Sequence, residues 1–84
     1  MTRSEVSEKL FAILCESCRK AKDYPQEQLE TAVLTKDLGM DSLDLISALF
    51  RIEEEFGVNI PEEDLKEHAS VFGPLATYIT GKLG

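Results

Sequence analysis

Gly39-Met40-Asp41-Ser42-Leu43-Asp44-Leu45 is the stretch where a polar turn hands over to the most strongly patterned helix in the chain. From there apolar residues recur at Leu43, Ile46, Leu49 and Phe50, and again at Leu45, Ile52 and Phe56, which is helical spacing and not strand alternation. The pattern predicts a helix that begins at or just before Ser42 and closes at Phe56. Gly57 can take the left-handed conformation that ends a helix, and Val58 can pack back on the last turn. The expected core face is Leu45, Ile46, Leu49, Ile52 and Phe56. Asp44, Ser47, Arg51, Glu54 and Glu55 point outward, with Glu53 at the border. Taken alone, an Asp-Ser pair at a helix start is a cap, because side-chain oxygens there accept from the unpaired N–H groups of the first turn.

Working outward from this helix, Val6, Leu10, Ile13, Leu14, Ser17, Cys18 and Ala21 form one stripe and predict a first helix from about Ser4 to Lys22. Glu5 and Glu8 near its start, and Arg19, Lys20 and Lys22 near its end, suit the helix dipole. Tyr24 and Pro25 stop it. Residues 23–40 are too many for a structureless loop in a small domain, so Leu29, Val33, Leu34 and Leu38 must pin them, with Gln26 to Thr31 as a helical turn. Beyond Gly57, Pro61 followed by Glu62, Glu63 and Asp64 predicts a short third helix over 61–67. The last helix starts either at Ser70, a good cap, or afresh at Pro74, which would clash with the Ser70 carbonyl. Leu75, Tyr78, Ile79 and Leu83 supply its apolar side, and Gly81 and Gly84 fray its end. With no strand pattern and no repeat, the fold class is all-α: a small four-helix bundle with a short third helix and a long first loop.

Eighty-four residues form a single domain, 1–84, with 43% hydrophobic and 30% charged residues. No apolar run approaches the roughly 20 residues needed to span a membrane, and the N-terminus has no signal-peptide core, so the expected address is cytoplasmic. Cys15 and Cys18 lack the further ligands of a metal site, the only histidine being His68, and lack the strands of a redox motif; they read as small thiols, buried or half-buried. Charge is unevenly spread. Residues 41–67 hold nine acids against Arg51 and Lys66, which accounts for the entire net charge of −7. Such a stretch excludes nucleic acid as a partner and steers basic protein surfaces towards itself.

The Gly39-to-Leu45 stretch, the helix after it, and the run Glu53-Glu54-Glu55-Phe56-Gly57-Val58-Asn59-Ile60-Pro61-Glu62-Glu63-Asp64-Leu65 together resemble the acyl carrier proteins. The likeness covers nearly the whole chain. It implies that Ser42, flanked by Asp41 and Leu43, is the attachment point for 4′-phosphopantetheine, transferred from coenzyme A by a separate phosphopantetheinyl transferase. The terminal thiol of that arm would carry an acyl group as a thioester. A phosphate at a helix start lies by the positive end of the dipole, and a flexible arm keeps its cargo at high effective concentration for each docked enzyme.

The resemblance also implies that Asp41, Asp44, Glu53 and Glu54, with Glu62 and Glu63 nearby, dock on basic patches of acyl-transferring and chain-modifying enzymes. This sequence departs from the usual fatty-acid pattern at three positions on that face. Ser47 stands where an acid is common, Phe50 where a smaller or more flexible apolar residue is common, and Arg51 adds a positive charge. These departures point to a specialised pathway with dedicated partners. A carried chain needs shelter, each buried methylene being worth about 0.8 kcal/mol, and Ile46, Leu49, Phe50, Leu65, Phe72 and Ile79 are candidates to line a cleft.

A catalytic reading is poor, because Ser42 has no identifiable base and the carboxylates are spread over a helix surface. A discrete polyketide carrier shares the attachment chemistry. Peptidyl or aminoacyl carriers tend to be less acidic around the serine. From another class, the chain would be an unmodified acidic helical adaptor in which Ser42 only caps a helix. No calcium loop is present, no metal is expected, and a monomer suits transient exchange among partners.

Overall fold

Thr2 opens the first helix, α1 (Arg3–Ser17), with a capping box. The Glu5 N–H donates to Thr2 Oγ1 at 3.2 Å, and the Glu5 carboxylate accepts from the Thr2 N–H at 3.2 Å. The computed structural model describes residues 2–61, 63, 64 and 70–83. Val6, Leu10, Ile13 and Leu14 of α1 are buried, as their spacing predicts. The helix ends at Ser17 and not at Lys22. Cys18 closes it in an extended conformation (φ −145°, ψ 119°), its N–H still bonded to the Leu14 carbonyl, and a 3-10 helix, Arg19–Asp23, follows. The break has a tertiary cause. It lets the Cys18 thiol donate to the Leu38 carbonyl at 2.9 Å and lets Ala21 reach full burial. Cys15 and Cys18 are free, half-buried thiols, as their setting in the sequence suggests. Burial pushes the Cys15 thiol up from its ordinary pKa.

The connecting segment is ordered by its own apolar residues. A second 3-10 helix spans Gln26–Thr31, the turn the sequence predicts there, and buries Leu29. Ala32, Leu34, Leu38 and Met40 are also buried. Polar groups within the segment answer each other: the Val33 N–H donates to the Asp37 carboxylate at 2.7 Å, and the Asp37 N–H returns to the Val33 carbonyl at 2.7 Å. Met40 closes the turn on the Leu34 carbonyl at 3.1 Å.

The second helix, α2 (Ser42–Phe56), has the predicted bounds. Gly57 stands at φ 66°, ψ 32°, the left-handed conformation that its place after Phe56 requires. Beyond it the Glu53 carboxylate accepts from the Ile60 N–H at 2.9 Å, which draws Ile60 into the core. Glu63 and Asp64 are helical, and the Asp64 N–H bonds to the Pro61 carbonyl at 3.0 Å. The remainder of the expected third helix, with Glu62 and Leu65, and also His68, lies outside the described residues.

The third α-helix described, α3 (Phe72–Leu83), begins between the two starts weighed from sequence. Pro74 falls in its first turn, where a missing N–H has no intrahelical partner to lose. The Ser70 carbonyl lies outside the helix and accepts from the Leu34 N–H at 2.9 Å instead. With the Phe72 N–H bonded to the Ala32 carbonyl at 2.9 Å, this makes a single antiparallel bridge between Val33 and Val71. The helix continues through Gly81 and does not fray there, because Leu83 packs on the core.

α1 packs against both α2 and α3, and α3 also packs on the second 3-10 helix. Arg3 fastens this last corner. Its guanidinium donates to the Glu30 carboxylate at 2.7 Å, to the Gly73 carbonyl at 3.0 Å and to Thr77 Oγ1 at 3.2 Å. The protein is an all-α helical bundle. Among the described residues no helix is long and apolar enough to cross a membrane.

Candidate functional site

Ser42 is the first residue of α2 and is exposed. Asp41 precedes it as the N-cap, and here the cap is reciprocal. The Asp44 N–H donates to Asp41 Oδ1 at 2.8 Å, and the Asp41 N–H donates to Asp44 Oδ2 at 3.3 Å. Both acids beside the serine are therefore committed to holding the helix end in shape. The backbone N–H groups of Ser42 and Leu43 belong to the first turn, which has no preceding carbonyl to take them. An exposed hydroxyl next to those groups, at the positive end of a helix, suits a phosphate ester.

The face leading away from Ser42 is partly apolar. Leu43 is 75% exposed, Ile46 39% and Phe50 65%. Their spacing places them on one stripe of α2, with exposed Ser47 and Glu54 alongside. This corrects the core face expected from sequence. Ile46 lies outside the core and Ala48 is buried in its place, so the inward stripe is Leu45, Ala48, Leu49, Ile52 and Phe56. A helix this rich in apolar residues has more than one stripe can bury. That excess, Leu43, Ile46 and Phe50, is the signal by which the outer row is legible in the sequence.

The acidic positions fare differently from one another. Glu54 and Glu63 are exposed. Glu53 is half-buried and occupied with the Ile60 N–H, a structural task that spacing alone does not reveal. Arg51 pairs with Glu16 of α1, so its charge is answered from the neighbouring helix. Glu55 pairs with Lys9 at 3.1 Å. Glu62 lies outside the described residues.

Of the residues expected to line an acyl cleft, Leu49, Phe72 and Ile79 are buried together in the core, whereas Ile46 and Phe50 face outward and Leu65 lies outside the described residues. A pocket of about 250 Å³ opens on another side of α1, between Ser7, Phe11, Gln26, Leu29 and Phe72.

Comparison with known proteins agrees with this geometry. Residues 8–79 match the model of the phosphopantetheine attachment site family. The chain is 39% identical to an acyl carrier protein of Thermotoga maritima over 99% of this chain and 98% of that one. It is 35% identical to an acyl carrier protein of Amoebophilus asiaticus, over 95% of each chain, and 35% identical to one of Thermosynechococcus vestitus, over 84% of each. These relatives are carrier proteins by name, and the matched family is defined by covalent attachment of 4′-phosphopantetheine. The chain belongs to the acyl carrier protein family.

Proposed function

We propose that this protein is a cytoplasmic carrier in fatty-acid or related lipid biosynthesis, with Ser42 as the attachment point of the arm. When bound, phosphopantetheine supplies a thiol that holds acyl groups as thioesters. The observation that carries the choice of residue is the placement of Ser42: an exposed hydroxyl on the first residue of a helix whose end is shaped by the Asp41–Asp44 box. A transferase can reach such a hydroxyl without disturbing the core.

Docking falls to the surface around α2. Leu43, Ile46 and Phe50 offer an apolar strip next to the serine, and Asp44, Glu54 and Glu63 supply negative charge around it. A partner with an apolar pocket rimmed by Arg and Lys is complementary to this arrangement. Ser47 and Phe50 favour dedicated partners over general fatty-acid enzymes, since a bulky aromatic side chain in the strip demands a pocket of matching size. Leu49, Phe72 and Ile79, buried where the helices meet, are the residues an entering acyl chain would displace.

The test is the intact mass of the protein after incubation with coenzyme A and a broad-specificity phosphopantetheinyl transferase, alongside Ser42→Ala. The wild type is expected to gain one phosphopantetheine group and the variant none. Modification of the Ser42→Ala variant, or of neither protein under conditions that load a control carrier, would overturn the assignment.

A further inference from the structure

The break after α1 lays two side chains against the approach to Ser42. Cys18 bonds to the Leu38 carbonyl, and two residues later the stem of Lys20 passes over Gly39, where a β-carbon would sit 3.7 Å from Lys20 Cδ. Gly39 is held at φ 66°, between the buried residues Leu38 and Met40, so this piece of backbone is anchored to the core. From Gly39 the chain reaches Ser42 within at most about 11 Å, three residues at roughly 3.6 Å each.

Charge at this end of α2 is already one-sided. The helix terminus offers about half a positive charge, and the carboxylates of Asp41 and Asp44 both lie on it. A phosphodiester at Ser42 adds a third negative group. We propose that Lys20 is the cation that answers this phosphate, its ammonium held beside the modified serine by the packing of its stem on Gly39. The inference rests on Ser42 being the attachment point. It gives the first 3-10 helix a task that α1, had it run on as a regular helix, would not perform.

The experiment compares the melting temperatures of unmodified and modified protein for the wild type, Lys20→Gln and Lys9→Gln. Lys9 is the control. It pairs with Glu55, thirteen residues along α2 from Ser42 or about 20 Å at 1.5 Å per residue, beyond the Debye length of about 10 Å in 0.1 M salt. In 0.1 M salt the change in Tm on modification should be less favourable in Lys20→Gln than in the wild type by about 2–4 °C. Lys9→Gln should match the wild type, and in 1 M salt the Lys20 difference should vanish. Equal changes in all three proteins would overturn the role of Lys20. So would a difference that persists in 1 M salt, which would mark stem packing in place of charge, or an equal loss in Lys9→Gln. Intact mass, read first, keeps the two readings apart. Full modification with unchanged melting differences removes only Lys20, whereas no gain of mass removes the Ser42 assignment and this inference with it.

Discussion

Two glycines show how differently single positions constrain this protein. Gly57 ends α2 at φ 66° with nothing within 4 Å of the place a β-carbon would occupy, so its requirement is conformational. Gly73, in the first turn of α3, is at ordinary φ but lies against the second 3-10 helix. A β-carbon there would come within 2.6 Å of the Glu30 carbonyl oxygen and would also meet the Glu30 carboxylate. Backbone cannot swing aside as a side chain can. Gly73→Ala should therefore cost about 1–3 kcal/mol through overpacking, and loosen the Arg3–Glu30–Gly73 corner. Gly57→Ala should cost about 1 kcal/mol from left-handed strain alone. Urea unfolding of both variants measures the two costs. A Gly73→Ala protein as stable as wild type would show that the corner is not closely packed.

Among the elements, α1 and α2 each start with a reciprocal box, Thr2–Glu5 and Asp41–Asp44. In α1 the hydrogen bonds from Thr2, first its backbone N–H and then its hydroxyl, hold the Glu5 carboxyl below its ordinary pKa. A carboxyl with a lowered folded-state pKa contributes stability above its unfolded value, and that contribution disappears as pH falls through the folded value. The stability advantage of wild type over Glu5→Gln should accordingly be present at pH 7 and shrink on acidification below about pH 4.5. Thermal melts of both proteins between pH 7 and pH 3 measure it, and a gap that widens on acidification would contradict the box. The early end of α1 is closed by its own backbone. Its basic residues fall in the following 3-10 helix, and the final turn is closed by the Cys18 N–H on Leu14.

At the scale of the whole molecule, the radius of gyration is 11.3 Å, close to the roughly 12 Å expected of a compact domain of this length. One core serves every element, and two phenylalanines mark its inside and outside. Phe72 is 1% exposed and Phe50 65%. Phe72→Ala should remove about 3–5 kcal/mol, a large part of the 5–15 kcal/mol that holds a typical domain folded. Phe50→Ala should change stability by less than about 0.5 kcal/mol. On the proposed docking role, truncating this exposed aromatic should weaken binding to a partner. Denaturant unfolding of both variants, with titration of Phe50→Ala against an acyl-handling enzyme of the native host, separates the two roles. A Phe50→Ala protein as unstable as Phe72→Ala would place Phe50 in the core.

Features that depend on neighbours in the chain are legible in the order of the residues. The bounds of α2 follow from Asp41 and Gly57, and the turn at Gln26–Thr31 from a connection too long to stay structureless. The family follows from the pattern around Ser42 together with the acidic run after it. Tertiary structure decided what depends on distant partners. α1 stops at Ser17 because Leu38 draws Cys18 out of the helix, and α3 starts at Phe72 because Ala32 and Leu34 take the backbone groups on either side of Val71. Ile46 is outside and Ala48 inside because only one stripe of α2 can meet α1. Periodicity counts apolar positions without choosing between two adjacent stripes, and that choice is made by what the helix packs against.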